Sequence, residues 1–250
     1  MIFKQLFEPD SSTYTYLIAC EDTGKTVLID PVLDTVERDM QALQDMGLTL
    51  DYTLDTHIHA DHLTGARRLK QLAGSQIAYP AIDELPCADI GVKEGQPFKV
   101  GHIEIHPLFT PGHTDHHHAY IIHTPITSML FSGDALMIDS VGRTDFQSGD
   151  AAALFNSIHS KFFSLPEETL VYPCHDYDQR KISTVGQEKL RNPYIGGGIS
   201  QEDFVDKMNN LDLAYPRKID FAVPGNQQCG QCPDNVPEKF RGPCDKHDQG

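Results

Sequence analysis

Runs of apolar and β-branched residues over Tyr14 to Ala19 and Lys25 to Ile29, separated by Glu21-Asp22-Thr23-Gly24, predict a β-hairpin that Asp30-Pro31 brings to a stop. Apolar residues recur at helical spacing from Thr35 to Met46, and Gly47 ends that helix. An extended run, Tyr52 to Thr56, comes next, then a second helical pattern from Leu63 to Leu72 that stops near Gly74. A second cycle has strands at Gln76 to Tyr79, Ile103 to Leu108, Ala119 to Ile122 and Ser128 to Phe131, the last two parted by Thr124-Pro125. A helix over Ala151 to Phe163 and a strand over Thr169 to Tyr172 complete the pattern, and the last hundred residues look poor in further helices. Beyond Gly225 the chain turns polar, Pro- and Gly-rich and aromatic-poor, which predicts an extended tail. The alternation of strands and helices, without internal repeat, predicts one α/β domain over 1–225 and a Cys-containing polar tail over 226–250.

Composition narrows the partners. The 250 residues are 39% hydrophobic and 22% charged, enough for a sizeable core. A formal charge of -16 disfavours nucleic acid and anionic membrane, and obliges any anionic substrate to find a local cationic pocket. No apolar run is long enough to span a membrane and the start lacks a secretory pattern, so a cytoplasmic location is expected. Of six cysteines, Cys20, Cys87 and Cys174 are widely spread and read as reduced, whereas Cys229, Cys232 and Cys244 crowd the tail.

The chemistry is concentrated at strand ends. Thr56-His57-Ile58-His59-Ala60-Asp61-His62 places four metal-ligand side chains in one strand-to-helix turn, with His57 and His59 on one side of an extended chain. His113, Asp134 and His175 follow three later strands in the same sense. Seven candidate ligands exceed the needs of one ion. They allow a dinuclear hydrolase with Asp134 bridging, or a mononuclear site in which the remainder support the ligands, and Zn(II) and Fe(II) both suit the donor set. Asp30 reads as a loop-ordering residue. His116, His117 and His118 cannot all reach one metal from an extended segment, and His102, His106, His123, His159 and His247 lack ligand spacing.

Thr-His-x-His-x-Asp-His, Pro-Gly-His at 111–113, Ser-Gly-Asp at 132–134 and Cys-His-Asp at 174–176, in this order, resemble the metallo-β-lactamase superfamily, which implies an αββα sandwich. Gly142 to Gln147, His175-Asp176-Tyr177 and Ile219 to Pro224 resemble the persulfide dioxygenases of the ethylmalonic encephalopathy protein family. The resemblance implies one Fe(II) per subunit, held by His57, His113 and Asp134, with His59, Asp61, His62 and His175 around it as supporting groups. It implies oxidation of glutathione persulfide by dioxygen and water to sulfite and glutathione, both oxygen atoms being incorporated, by a homodimer. A dinuclear zinc hydrolase of glutathione thioesters, of the glyoxalase II kind, is the alternative on the same fold. Arg143 is expected to bind a glutathione carboxylate, with Thr114, Thr144 and Tyr177 as further substrate contacts. Cys229, Cys232, Cys244 and His247 could form a structural zinc site in the tail, a departure from the family pattern.

Overall fold

The computed structural model describes residues 1–247, and these divide into two compact units. The first contains 1–91, 100–102 and the chain from Tyr215 onward, and the second contains 92–99 and 103–214. In the first, a six-stranded sheet follows chain order: β1 (Ile2–Glu8), β2 (Thr13–Ala19), β3 (Lys25–Ile29), β4 (Thr49–Leu54), β5 (Gln76–Pro80) and β6 (Ile90–Val92). β1, β2 and β3 run antiparallel, and β3, β4 and β5 run parallel through helices α1 (Val36–Asp45) and α2 (Ala66–Ala73). The hairpin and both helices were legible in the hydrophobic pattern. β1 was not, because its seven residues are mostly half-buried and its alternation is weak. Every residue of β2 is buried, which its unbroken apolar and hydroxyl run allows.

In the second unit β7 (Phe98–Val100), β8 (Ile103–Phe109), β9 (His118–His123), β10 (Ser128–Gly133), β11 (Leu170–Pro173) and β12 (Ser183–Thr184) form another six-stranded sheet, ordered β12-β11-β10-β9-β8-β7. Only β10 with β11 is parallel among its recorded pairings. The helical pattern after residue 150 is α3 (Ala151–Ser157), capped by Asp150 and continued by a π turn over Ile158–Phe162. Leu154, Ile158, Phe162 and Phe204 anchor a core against Leu130 and Val171 of the sheet.

The last hundred residues contradict the expectation of few helices. α4 (Val185–Arg191), α5 (Gln201–Asn209), α6 (Ile219–Asn226) and α7 (Gly242–His247) all lie there. Each spans three turns or fewer and leaves little periodicity, and α6 carries Pro224 inside it, which reads as a breaker.

The chain beyond 225 also differs from an extended tail. Cys229, Val236 and Cys244 are buried, Val236 and Cys244 pack in the core of Leu17, Leu28 and Phe221, and the segment belongs to the first unit. Disulfides join Cys87 to Cys229 and Cys232 to Cys244. The reading of Cys87 as reduced is thus corrected, while Cys20 and Cys174 are free and buried. A separation of 142 residues gave no sequence signal for the first bond. The zinc site considered possible in the tail is corrected as well: the sulfurs of Cys229, Cys232 and Cys244 are spent in disulfides and offer no thiolates, and the side chain of His247 lies outside the described residues.

Candidate metal centre

In the first unit β4 ends at Leu54 and delivers a buried loop that carries the histidine motif. Asp30, directly after β3 and at φ 50°, organises it. Its carboxylate accepts the Thr56 N–H at 2.7 Å and the Thr56 hydroxyl at 3.2 Å, and lies 3.2 Å from His59 Nε2. Asp55 stands 3.7 Å from the same nitrogen. The Asp30 carboxylate on Nε2 places a proton there, and Nδ1 is buried without a hydrogen-bond partner. The His57 and His59 rings lie 4.1 Å apart, and the His59 and His62 rings 4.3 Å apart. Ligand atoms of His59, Asp61 and His62 all fall within 4.8 Å of one another. Burial pushes the Asp55 carboxyl up to about 8, eased by His59 and reinforced by Asp30. Burial opposes protonation of His59, yet its hydrogen bond to Asp30 and the charges of Asp30, Asp55 and Asp61 outweigh this and raise its pKa.

In the second unit the strand ends supply His113, Asp134 and His175 together. Asp134 follows Gly133, whose φ of 54° ends β10, and its Oδ1 accepts a hydrogen bond from His175 Nδ1 at 2.7 Å. Its Oδ2 lies 3.5 Å from His113 Nε2. On the far side of that ring, His113 Nδ1 donates to the Arg143 carbonyl at 2.7 Å. Gly142 permits this approach, since a Cβ there would sit 2.3 Å from the Asp134 carbonyl oxygen and 2.7 Å from His113 Nδ1. His117 is spent behind the site: its Nε2 accepts the Asp134 N–H at 3.2 Å, so its Nδ1 proton goes to the Thr110 hydroxyl at 2.8 Å. His118 is turned to the His116 carbonyl at 2.8 Å. Asp176 is buried beside Arg180, 2.7 Å away, which steadies the turn after His175.

Both halves have the donors a metal ion needs. With its proton committed to a carbonyl, His113 presents an Nε2 lone pair to a carboxylate oxygen, an opposition that a cation relieves. The orphan Nδ1 of His59 beside Asp61 and His62 has the same requirement. Two imidazoles and a carboxylate fit Fe(II) as a ligand set.

The expected substrate contacts are placed unevenly. Arg143 is engaged already: Nε and Nη2 donate to Asp145 at 2.6 and 2.7 Å, Nη1 donates to the Ala214 carbonyl at 2.9 Å, and the guanidinium lies 4.6 Å from the Phe146 ring centroid. The free cation expected at this position is therefore neutralised by Asp145, which the guanidinium holds below the usual carboxylate range. Thr114 is buried with a hydroxyl that lacks a partner, Thr144 is half-buried, and Tyr177 is 73% exposed with its ring stacked 6.4 Å from His175. The sequence reasoning passed over the loop contacts of Asn226 and the backing role of His117. Asn226 has no local signal, since its partners are 162 to 167 residues away.

A family profile described as the Metallo-beta-lactamase superfamily matches residues 9–175. The chain is 42% identical to the mitochondrial persulfide dioxygenase ETHE1 of Homo sapiens over 231 residues, covering 92% of this chain and 89% of that protein. It is 37% identical to a hydroxyacylglutathione hydrolase of Rhodospirillum rubrum, over 69% of this chain and 66% of the other. The crystal structure of ETHE1 from Myxococcus xanthus superposes with a TM-score of 0.88 at 44% identity, covering 92% of this chain and all of that one. Among the described residues no helix is long and apolar enough to cross a membrane. The two mixed sheets, the histidine and aspartate side chains at strand ends and these matches agree: the chain belongs to the metallo-β-lactamase superfamily and, within it, to the persulfide dioxygenases.

Proposed function

We propose that this enzyme is an Fe(II)-dependent dioxygenase of glutathione persulfide, with His57, His113 and Asp134 as the iron ligands. The observation that carries the reading is the extent of the likeness: it reaches 92% of the chain for the persulfide dioxygenase and 69% for the thioester hydrolase. In the net reaction, glutathione persulfide, dioxygen and water give glutathione and sulfite, so the terminal sulfur gains three oxygens and its bond to the glutathione sulfur breaks. Fe(II) held by His57, His113 and Asp134 would supply redox chemistry, relaying electrons from the terminal sulfur, which is oxidised, to dioxygen, which is reduced.

The chain's own groups set the stage for this chemistry. His175 donates to one oxygen of Asp134 and leaves the other facing His113 Nε2. The Arg143 carbonyl fixes the His113 tautomer, leaving Nε2 as the donor atom. His117 holds the main chain of Asp134 from behind. His59, beside His57, and the adjoining Asp61 and His62 offer polar groups able to orient water and the substrate sulfur. A glutathione carboxylate reaches the Arg143 guanidinium by displacing Asp145, and the unpartnered Thr114 hydroxyl is available to a polar group of the ligand.

Oxygen uptake by anaerobically iron-loaded protein given glutathione persulfide, run beside thioester hydrolysis by zinc-loaded protein, tests this reading. Stoichiometric oxygen consumption with sulfite release is expected. Thioester hydrolysis without oxygen uptake overturns it.

A further inference from the structure

Asn226, the last residue of α6, is completely buried and uses its whole amide on one stretch of main chain. Its Nδ2 donates to the carbonyls of His59 and His62, both at 2.8 Å, and its Oδ1 accepts the Thr64 N–H at 2.9 Å. These main-chain groups lie in the buried histidine-motif loop and at its exit, where a hydrogen bond left unmade has no water to replace it. The bracket begins two residues after His57, this loop's proposed iron ligand, and spans the segment bearing the supporting side chains of His59, Asp61 and His62, so it fixes through the backbone where those groups stand around the ligand.

The segment after Asn226 is itself fastened to the same region. The Cys229 carbonyl accepts the Arg67 N–H at the start of α2 at 3.0 Å. Gly230, at φ 88°, passes so close to Thr64 that a Cβ there would lie 2.0 Å from its carbonyl oxygen. Cys229 is then tied covalently to Cys87, which lies in the loop between β5 and β6. A non-glycine residue at φ 56°, as Cys229 is, persists only where its surroundings hold it.

We propose that Asn226 is a positioning residue for the metal-binding loop, and that the Cys87–Cys229 disulfide holds Asn226 in register. The proposal rests on the iron reading of that loop and concerns retention of the ion, which is measured separately from persulfide oxidation. Asn226→Ala removes all three hydrogen bonds, and Asn226→Asp sets a carboxylate against two carbonyls. Both iron-loaded variants are expected to release iron to a chelator about 10- to 100-fold faster, the usual effect of disturbing the groups that support metal ligands. Iron-saturated variants should also lose kcat while KM for the persulfide stays near that of the parent.

Release within twofold of the parent, with only a lowered melting temperature, makes Asn226 an ordinary stability residue and overturns its role. Cys87→Ser leaves the motif and Asn226 intact and keeps the test available if the Asn226 variants fail to fold. It should release iron faster, by a smaller factor, and parental release refutes the part given to the disulfide. A parent protein that takes up no Fe(II) or consumes no oxygen refutes the functional reading instead.

Discussion

A carbonyl oxygen only accepts hydrogen bonds, so the 2.7 Å contact from His113 Nδ1 to the Arg143 carbonyl decides which nitrogen of that ring carries the proton. Gly142→Ala tests this clamp, because the added methyl would overlap the Asp134 carbonyl at 2.3 Å and His113 Nδ1 at 2.7 Å. Iron affinity should fall about 10- to 100-fold, and an unchanged affinity by chelator titration refutes the clamp. Arg143 makes a second prediction. If Asp145 competes with a substrate carboxylate for its guanidinium, Asp145→Asn should lower KM for glutathione persulfide several-fold, and Arg143→Ala should raise it while iron is retained. A KM unmoved by both substitutions removes Arg143 from substrate binding. At this scale the motif spacing made the candidate ligands legible, because their residue types announce their chemistry. Asp145 and Asn226 were opaque: one looks like a solvated loop charge, and the other depends on a fold that joins distant segments.

The elements nearest the metal loop, β4 and α2, were legible because an apolar strand followed by helical periodicity has one reading. The short C-terminal helices were not, since six to nine residues give too few turns for a period to emerge. Helix α1 contains a charge that sequence alone would assign to solvent. Asp39 is buried, and although Arg38 contacts it at 2.7 Å, burial raises its pKa from 3.8 to about 6. The folded state therefore binds more protons than the unfolded chain between about pH 4 and 6, and this contribution to stability declines as pH rises through that window. The full cost above it is about 3 kcal/mol. Melting curves of metal-free protein check the sign: the melting temperature of Asp39→Asn minus that of the parent should increase from pH 4.5 to 7. A constant difference shows that the carboxyl does not titrate there.

For the whole molecule, a charge of -16 coexists with a C-terminal segment that is packed and doubly cross-linked. Composition argued for a loose tail because disulfide partners 12 and 142 residues apart leave no pattern to read. Replacing Cys232 with Ser opens a short loop and should cost up to about 3 kcal/mol by loop entropy. Denaturant unfolding of oxidised parent and variant measures it, and equal midpoints refute a stabilising role for that bond.

The grip of Arg143 on His113 is made by the main chain, whereas any grip on glutathione belongs to its guanidinium. One position thus offers its carbonyl and its guanidinium to separate tasks. If the proposed roles hold, substitutions there would retune which thiol carrier is accepted without loosening the metal, and this loop would be free to drift toward new persulfides.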